Sequence, residues 1–143
     1  MKSASRASLL GVLSLFSAVS MSNAADLRFT SSDKVTWVDT PFGVQASPIM
    51  GDFSKGKHIT FIKFKAGTST PAHVHSHDYV GVVVKGTGVH YIPSDKNPTP
   101  LQPGSTWTVP ANVEHISGCL KGGDCVFALY QDEPFDYVES RKQ

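Results

Sequence analysis

Arginine is scarce in this sequence of 143 residues, in which the three examples are Arg6, Arg28 and Arg141. The formal net charge is only +1, from 13 basic and 12 acidic side chains. Proteins that bind nucleic acids carry basic side chains clustered on one face, and the sequence contains no such cluster. We therefore expect no nucleic acid as a partner, and little capacity to clamp a phosphate or a dicarboxylate.

The sequence also lacks an apolar run long enough to cross a membrane. Its longest run, residues 9–19, is about 11 residues with serines inside it, whereas a spanning helix needs roughly 20. Lys2 and Arg6 precede the run and small residues follow it, an order typical of a secretory signal peptide. We expect cleavage after Ala24, with a retained anchor as the alternative.

Cleavage would leave one domain, residues 25–143, with eleven basic against twelve acidic side chains and a formal charge of −1. The mature protein would have no membrane span and would be secreted or periplasmic.

Cysteine is limited to Cys119 and Cys125. An even pair at short range in an exported protein favours a disulfide. The residues between them, Leu-Lys-Gly-Gly-Asp, contain a tight-turn pattern, so the two cysteines would face each other across a hairpin. Two unreacted thiols are the alternative. Five intervening residues are not the usual spacing of a metal-binding cysteine pair.

Helix-period patterns are hard to find after residue 24, whereas strand patterns are frequent. They cover residues 58–65, 79–85, 88–92, 105–109 and 126–131, with turns rich in glycine and proline between them. In the first of these, Thr60, Ile62 and Phe64 share one face, and His58, beside Lys57 at its start, is expected to be exposed. Short strands separated in this way predict an all-β sandwich or barrel. Residues 134–138 either pack across the outside, contact a partner or form one more edge strand.

Three histidines, His73, His75 and His77, lie in one window of five residues. Side chains two residues apart on a strand point to the same face, so His73 and His75 would both aim into a barrel, with Cβ atoms about 7 Å apart. Two imidazoles at this spacing can close on one cation, and neutral imidazole suits Zn²⁺, Fe²⁺, Cu²⁺ and Ni²⁺. The spacing by itself is also found in exposed polar loops.

Two longer motifs resemble those of the cupin family. The first is carried by Gly67, His73, His75, Tyr79 and Gly86, with tyrosine at the glutamate position. The second is carried by Gly104, Pro110, Asn112 and His115, with Cys119 at the place of its final asparagine. Asn112 occupies a glycine position, which is tolerable because asparagine also adopts left-handed conformations. More narrowly, residues 71–86 and 104–115 resemble the uncharacterised DUF4437 group of cupin-like proteins.

The resemblance implies a small jelly-roll β-barrel that holds a divalent metal through His73, His75 and His115. It departs from the family at Tyr79, because no glutamate precedes Glu114. Three interpretations follow: a site of three histidines, as in dioxygenase cupins; a Tyr79 hydroxyl that lies behind the ligands or bonds to a bound molecule; or a fourth ligand from His77 or Asp78. His90, on the strand after the first motif, is a candidate for a position beside the site or in its pocket, with a core or surface position as the alternative.

Together with the predicted signal peptide, this resemblance implies an exported metal-binding protein, with Fe, Zn, Cu, Mn or Ni as the divalent cation. We expect a three-histidine dioxygenase that acts on a small chelating carbonyl or phenolic compound. The alternative is a non-catalytic cupin module that binds or senses a small molecule or a metal. A homodimer is expected by analogy with other single-domain cupins.

Overall fold

The computed structural model describes residues 27–140, so the predicted signal peptide, residues 1–24, lies outside the described residues. Within residues 27–140 the chain forms ten β-strands and one 3-10 turn, Ser32–Lys34, and no α-helix. The strands are β1 (Val38–Asp39), β2 (Gln45–Met50), β3 (His58–Phe64), β4 (His73–Val74), β5 (Tyr79–Lys85), β6 (Gly88–Tyr91), β7 (Thr106–Val109), β8 (Ile116–Cys119), β9 (Cys125–Gln131) and β10 (Val138–Glu139). In this part of the chain no helix has the length and apolar character that a membrane crossing needs.

The strands form two layers of antiparallel sheet. One layer is a six-stranded sheet in the order β1-β2-β3-β9-β5-β7. The other consists of the pairs β10-β4 and β6-β8, which are joined by an isolated bridge between His73 and His115. This arrangement confirms the predicted all-β jelly-roll barrel.

The five strands predicted from alternation and β-branching occur as β3, β5, β6, β7 and β9. Strands β1, β2 and β8 were not predicted, and the sequences of β2 and β8 show why. Pro48 interrupts β2 and has no N–H to donate, and the register with β3 shifts between Pro48 and Met50. Strand β8, Ile-Ser-Gly-Cys, has no regular apolar alternation.

A cluster of apolar side chains fills one end of the barrel interior. Its members are Phe64, Val83, Cys119, Cys125 and Phe127.

Cys119 and Cys125 form a disulfide, as predicted. The predicted hairpin between them is wrong, because β8 and β9 belong to different layers; the turn at 120–124 passes from one layer to the other, and the disulfide joins the two. We call this region the disulfide end.

Histidines face the interior at the opposite end, which we call the histidine end (His58, His73, His75, His90 and His115). The long strands run between the two ends: β3 passes from His58 to Phe64, and β5 from Tyr79 to Val83. The prediction that His58 is exposed is wrong, since its side chain is 1% exposed. Alternation along β3 places His58 on the same inward face as Thr60, and this outweighs the neighbouring lysine.

Candidate metal centre

Three histidines converge at the histidine end of the barrel. His73, His75 and His115 are only 2–3% exposed, and each offers one ring nitrogen within 4.8 Å of the others. His73 and His75 lie on or directly after β4, and His115 directly precedes β8. The backbones of His73 and His115 exchange two hydrogen bonds, of 3.0 and 2.9 Å, which fix these two residues side by side.

Each of these imidazoles is oriented by a hydrogen bond through its Nδ1 atom to a backbone carbonyl oxygen. The pairs are His73 with Pro71 at 2.9 Å, His115 with Val113 at 2.8 Å, and His75 with Asp136. A carbonyl can only accept, so the proton of each neutral ring is on Nδ1. Each ring is therefore the tautomer in which Nε2 is unprotonated. A histidine that binds a metal through Nε2 requires this tautomer.

Burial keeps the three rings uncharged. It lowers the pKa of His73 to about 4, with a smaller opposing effect of the Pro71 carbonyl. Burial also lowers the pKa of His75 and of His115 below the ordinary value of 6.5. Three neutral imidazoles whose lone pairs converge are a donor set that fits a divalent transition-metal ion.

Tyr79 lies beside the cluster at the position where the cupin motif has glutamate. Its hydroxyl is 3.2 Å from Nε2 of His115, and its side chain is 6% exposed. Burial raises the pKa of the Tyr79 phenol, so the phenol stays protonated and donates its hydrogen bond to His115.

The other candidates from the sequence lie outside the group of converging nitrogens. His77 is half-buried and Asp78 is exposed, and neither belongs to the group. His90 stacks on Trp107, with ring centroids 5.0 Å apart, and its ring centroid is 4.7 Å from that of His115. Burial lowers the pKa of His90 to about 3. His90 is thus a neutral side chain next to the cluster.

Residues 134–139, here called the C-terminal strap, cross the mouth of the barrel over the histidines. Tyr137 stacks on His73 with centroids 4.3 Å apart, and Phe135 lies 5.0 Å from His75. Strand β10 pairs with β4; of residues 134–138 only Val138 belongs to it, so the edge-strand interpretation is correct for that residue alone. Its contribution to the site was missed, because the carbonyl of Asp136 meets His75 across 61 residues of sequence and no local pattern reports such a contact.

A cavity of about 50 Å³ adjoins His73 and His75. Aromatic and aliphatic side chains form most of its wall, including Phe42, Phe127, Leu129, Phe135 and Tyr137. Its lining within residues 27–140 contains no acidic side chain, lysine or arginine. A second, outer cleft reaches His90, Trp107 and His115 between β6 and β7.

Comparisons with known proteins agree with this geometry. The family model described as Cupin domain matches residues 60–129, a range that includes all three converging histidines. Residues 60–129 are therefore similar to a cupin domain. No curated protein sequence matches it.

Solved structures share the cupin fold at low sequence identity. KdgF from Halomonas sp. is 23% identical, with a TM-score of 0.60 over 74% of this chain and 95% of that one. The polyketide cyclase RemF from Streptomyces resistomycificus is 16% identical, with a TM-score of 0.67 over 82% and 88%. The DMSP lyase DddQ from Ruegeria pomeroyi is 16% identical, with a TM-score of 0.60 over 74% and 61%.

Proposed function

We propose that this cupin protein is a metal-dependent enzyme in which His73, His75 and His115 hold one divalent cation. We propose further that it is a dioxygenase for a small chelating carbonyl or phenolic compound. One observation carries the metal assignment: all three Nδ1 atoms are committed to backbone carbonyls. The Nε2 atoms are thereby left unprotonated, and one ligand nitrogen of each ring lies within 4.8 Å of the others, so a single cation is able to bind all three.

A divalent cation at this position supplies a Lewis acid and, if it is redox-active, a centre for oxygen chemistry. The protein contributes three neutral ligands and no carboxylate, so the charge of the cation is not compensated by its ligands. Such a centre favours a substrate that brings anionic oxygens of its own. The aromatic rings of Phe135 and Tyr137 cover the histidines and exclude water from the bound molecule, and the Tyr79 hydroxyl helps to orient it.

A second candidate function is a non-catalytic module that binds or senses a small molecule or a metal. The small cavity, of about 50 Å³, is compatible with such a module as well as with the enzyme. The cyclase and the lyase among the similar structures support an enzyme, but at 16% identity their reactions do not transfer to this chain, since one fold hosts many functions.

Metal analysis tests the proposed centre. Protein purified from its native compartment is expected to contain one divalent ion per chain, measured by plasma mass spectrometry. The double variant His73→Ala/His75→Ala is expected to contain none. His77→Ala is the matched control and should keep the full content, because His77 lies outside the converging group. Full metal content in the double variant would contradict the assignment of His73 and His75 as metal ligands.

Oxygen consumption separates the two functions. Protein loaded with Fe²⁺ and, separately, with Cu²⁺ or Mn²⁺ is tested with diketones, catechols and thiols in an oxygen electrode. Uptake that depends on both the substrate and His75 supports the dioxygenase. Ligand binding without uptake for every ion supports the binding module.

We also propose export, with cleavage after Ala24 and assembly as a homodimer. The Cys119–Cys125 disulfide supports the exported location, because disulfides persist in oxidising compartments. Membership of the DUF4437 group remains part of this proposal, on the motif residues given above. N-terminal sequencing of the secreted protein tests the cleavage site, and sedimentation velocity tests the dimer.

A further inference from the structure

We infer that Tyr79, His90 and Trp107 form a subsite for an anionic oxygen of the molecule bound at the proposed metal centre. This inference rests on the proposed function and deepens it, because it names the chemical class of the ligand. The three side chains lie on β5, β6 and β7.

Two buried nitrogens beside the cluster make no hydrogen bond of normal geometry among the described residues: Nε1 of Trp107, which does lie near the Tyr79 phenol oxygen, and Nε2 of His90. The indole N–H is a donor only. An unsatisfied buried donor is costly, and such groups are rare in folded proteins. Both belong to rings that stack on each other, with an interplanar angle of 20°.

The hydrogen bond between His90 and Ser117 is compatible with a proton on Nε2 of His90. Oγ of Ser117 lies 2.9 Å from Nδ1 of His90, and the serine is buried, with 8% exposure. The serine hydroxyl finds an acceptor when it donates to Nδ1. The proton of the neutral imidazole is then on Nε2, which makes Nε2 a second donor beside the indole.

Trp107 is held in place by the surrounding packing. Its indole lies against the backbone of Gly81, its register partner on β5, and a Cβ built on Gly81 would fall 2.2 Å from the ring. On another side Phe127 meets the ring edge-on, with centroids 5.2 Å apart. The N–H direction is therefore fixed before a ligand arrives, which reduces the entropy lost on binding.

Tyr79 supplies the third donor. Its hydroxyl now donates to Nε2 of His115, the same lone pair that a bound cation would take. Coordination of the cation therefore frees the Tyr79 hydroxyl to donate to a ligand. Trp107 and Ser117 are near the phenol oxygen, where they act weakly in favour of its ionised form, against the larger effect of burial.

The charge of the subsite selects the ligand. It offers three donors, and the adjoining cavity wall has no carboxylate within the described residues. A donor-only site beside a cation held by neutral ligands favours a negatively charged oxygen over a neutral hydroxyl or an amine. The ligand class is therefore a small organic anion that chelates through enolate, phenolate or carboxylate oxygens. The outer cleft lined by His90, Trp107 and Val113 gives it a way in.

The experiment uses the full mature chain loaded with Co²⁺, whose visible spectrum reports ligand binding without turnover. Acetylacetonate, catecholate and acetate are titrated separately, to distinguish the three oxygen sources. Trp107→Phe and Tyr79→Phe each remove one donor and keep an aromatic ring. The matched controls on the outside of the barrel are Trp37→Phe and Tyr130→Phe, because Trp37 stacks on Phe61 and Tyr130 bonds to Asp132.

Each donor variant is expected to bind the best of the three anions about 10- to 100-fold more weakly, as for a lost hydrogen bond to a charged group. Its Co²⁺ content should be unchanged, and both controls should match the wild type. A non-enolisable diketone should bind wild type and variants alike.

Anion affinity that stays within about twofold of wild type in both donor variants, with Co²⁺ bound, would overturn the subsite alone. Failure of the wild type to take up Co²⁺ would overturn the metal centre and the subsite with it. Thermal melts of all variants precede the titrations. If Trp107→Phe does not fold, Tyr79→Phe decides the question, because it removes a single oxygen.

Discussion

The two ends of the barrel interior are built from the same strands but from opposite kinds of side chain. Phe64, Val83 and Phe127 meet the buried disulfide at one end. At the other end, inward positions of the same layers carry imidazoles, the Tyr79 phenol and the Gln131 amide. Strand β9 shows the change along one element, from the fully buried Cys125 to the buried Gln131.

The two ends therefore have different roles: the disulfide end stabilises the fold, and the histidine end carries the candidate metal site. Burial of aromatic and aliphatic side chains stabilises the disulfide end, at roughly 1.5–3 kcal/mol for each large residue. The histidine end contains imidazoles whose protonation burial disfavours, and nitrogens without partners. We infer that the disulfide end supplies the free energy that allows the histidine end to remain polar, and four variants test this division.

The largest effect on folding is expected from Phe64→Ala at the disulfide end. Phe64 is 4% exposed and packs on Phe127 with centroids 5.3 Å apart, so we expect a loss of about 3–5 kcal/mol in the free energy of unfolding. Urea denaturation measures it. Phe61→Ala, on the outer face of the same strand, is the control and should cost less. Metal content per folded chain should not change; a loss of metal would show that the ends are not separable.

Removal of the disulfide is the next largest change. Cys119→Ala/Cys125→Ala opens a loop with a sequence separation of 6, for which we expect a loss of about 2 kcal/mol. Reduction of the disulfide in the wild-type protein should also lower the urea concentration at the midpoint of unfolding. Equal midpoints for the oxidised and reduced proteins would contradict a stabilising role for this bond.

A smaller effect, on metal affinity, is expected from Asp136→Ala. The carboxylate of Asp136 accepts a hydrogen bond of 2.9 Å from the backbone of Ser76 and so holds the carbonyl that orients His75. Loss of such support for a ligand typically weakens metal binding at least about tenfold, equivalent to about 1.4 kcal/mol. Competition with a chelating dye measures it. Asp132→Ala is the control. Equal metal affinities in the two variants would argue against a role of the C-terminal strap in metal binding.

The smallest expected effect concerns acid stability at His58, away from the three converging histidines. Burial lowers the pKa of His58 in the folded state below 6.5. As the pH falls through 6.5, His58 therefore takes up a proton in the unfolded chain before it does so in the folded protein. The free energy of unfolding decreases over the pH range between 6.5 and the lowered pKa of the folded state. The loss is at most about 0.8 kcal/mol at pH 6.0. His58→Gln should reduce the pH dependence between pH 8.0 and 6.0; an unchanged dependence would mean that other groups cause it.

Much of this architecture could be predicted from sequence because strand alternation is local. The spacing of His73 and His75 predicted their common direction, and Asn112 has the positive φ of 61° that a glycine position requires. The layer to which each strand belongs depends on its pairing with strands that are distant in sequence. The turn between the cysteines was therefore interpreted as a hairpin. The pairing of Asp136 with His75 and the stacking of Tyr137 on His73 depend on where a distant segment returns, which hydrophobic pattern alone does not specify.

The long-range contact between His75 and the Asp136 carbonyl also sets an order of events during synthesis. While residue 136 is still inside the ribosome, His75 lacks the acceptor that selects its tautomer. A partly made chain can therefore present the histidines but not the finished ligand set. Metal acquisition should follow completion of the chain and docking of the strap, so that a cell exporting the protein unfolded would load the ion only after translocation.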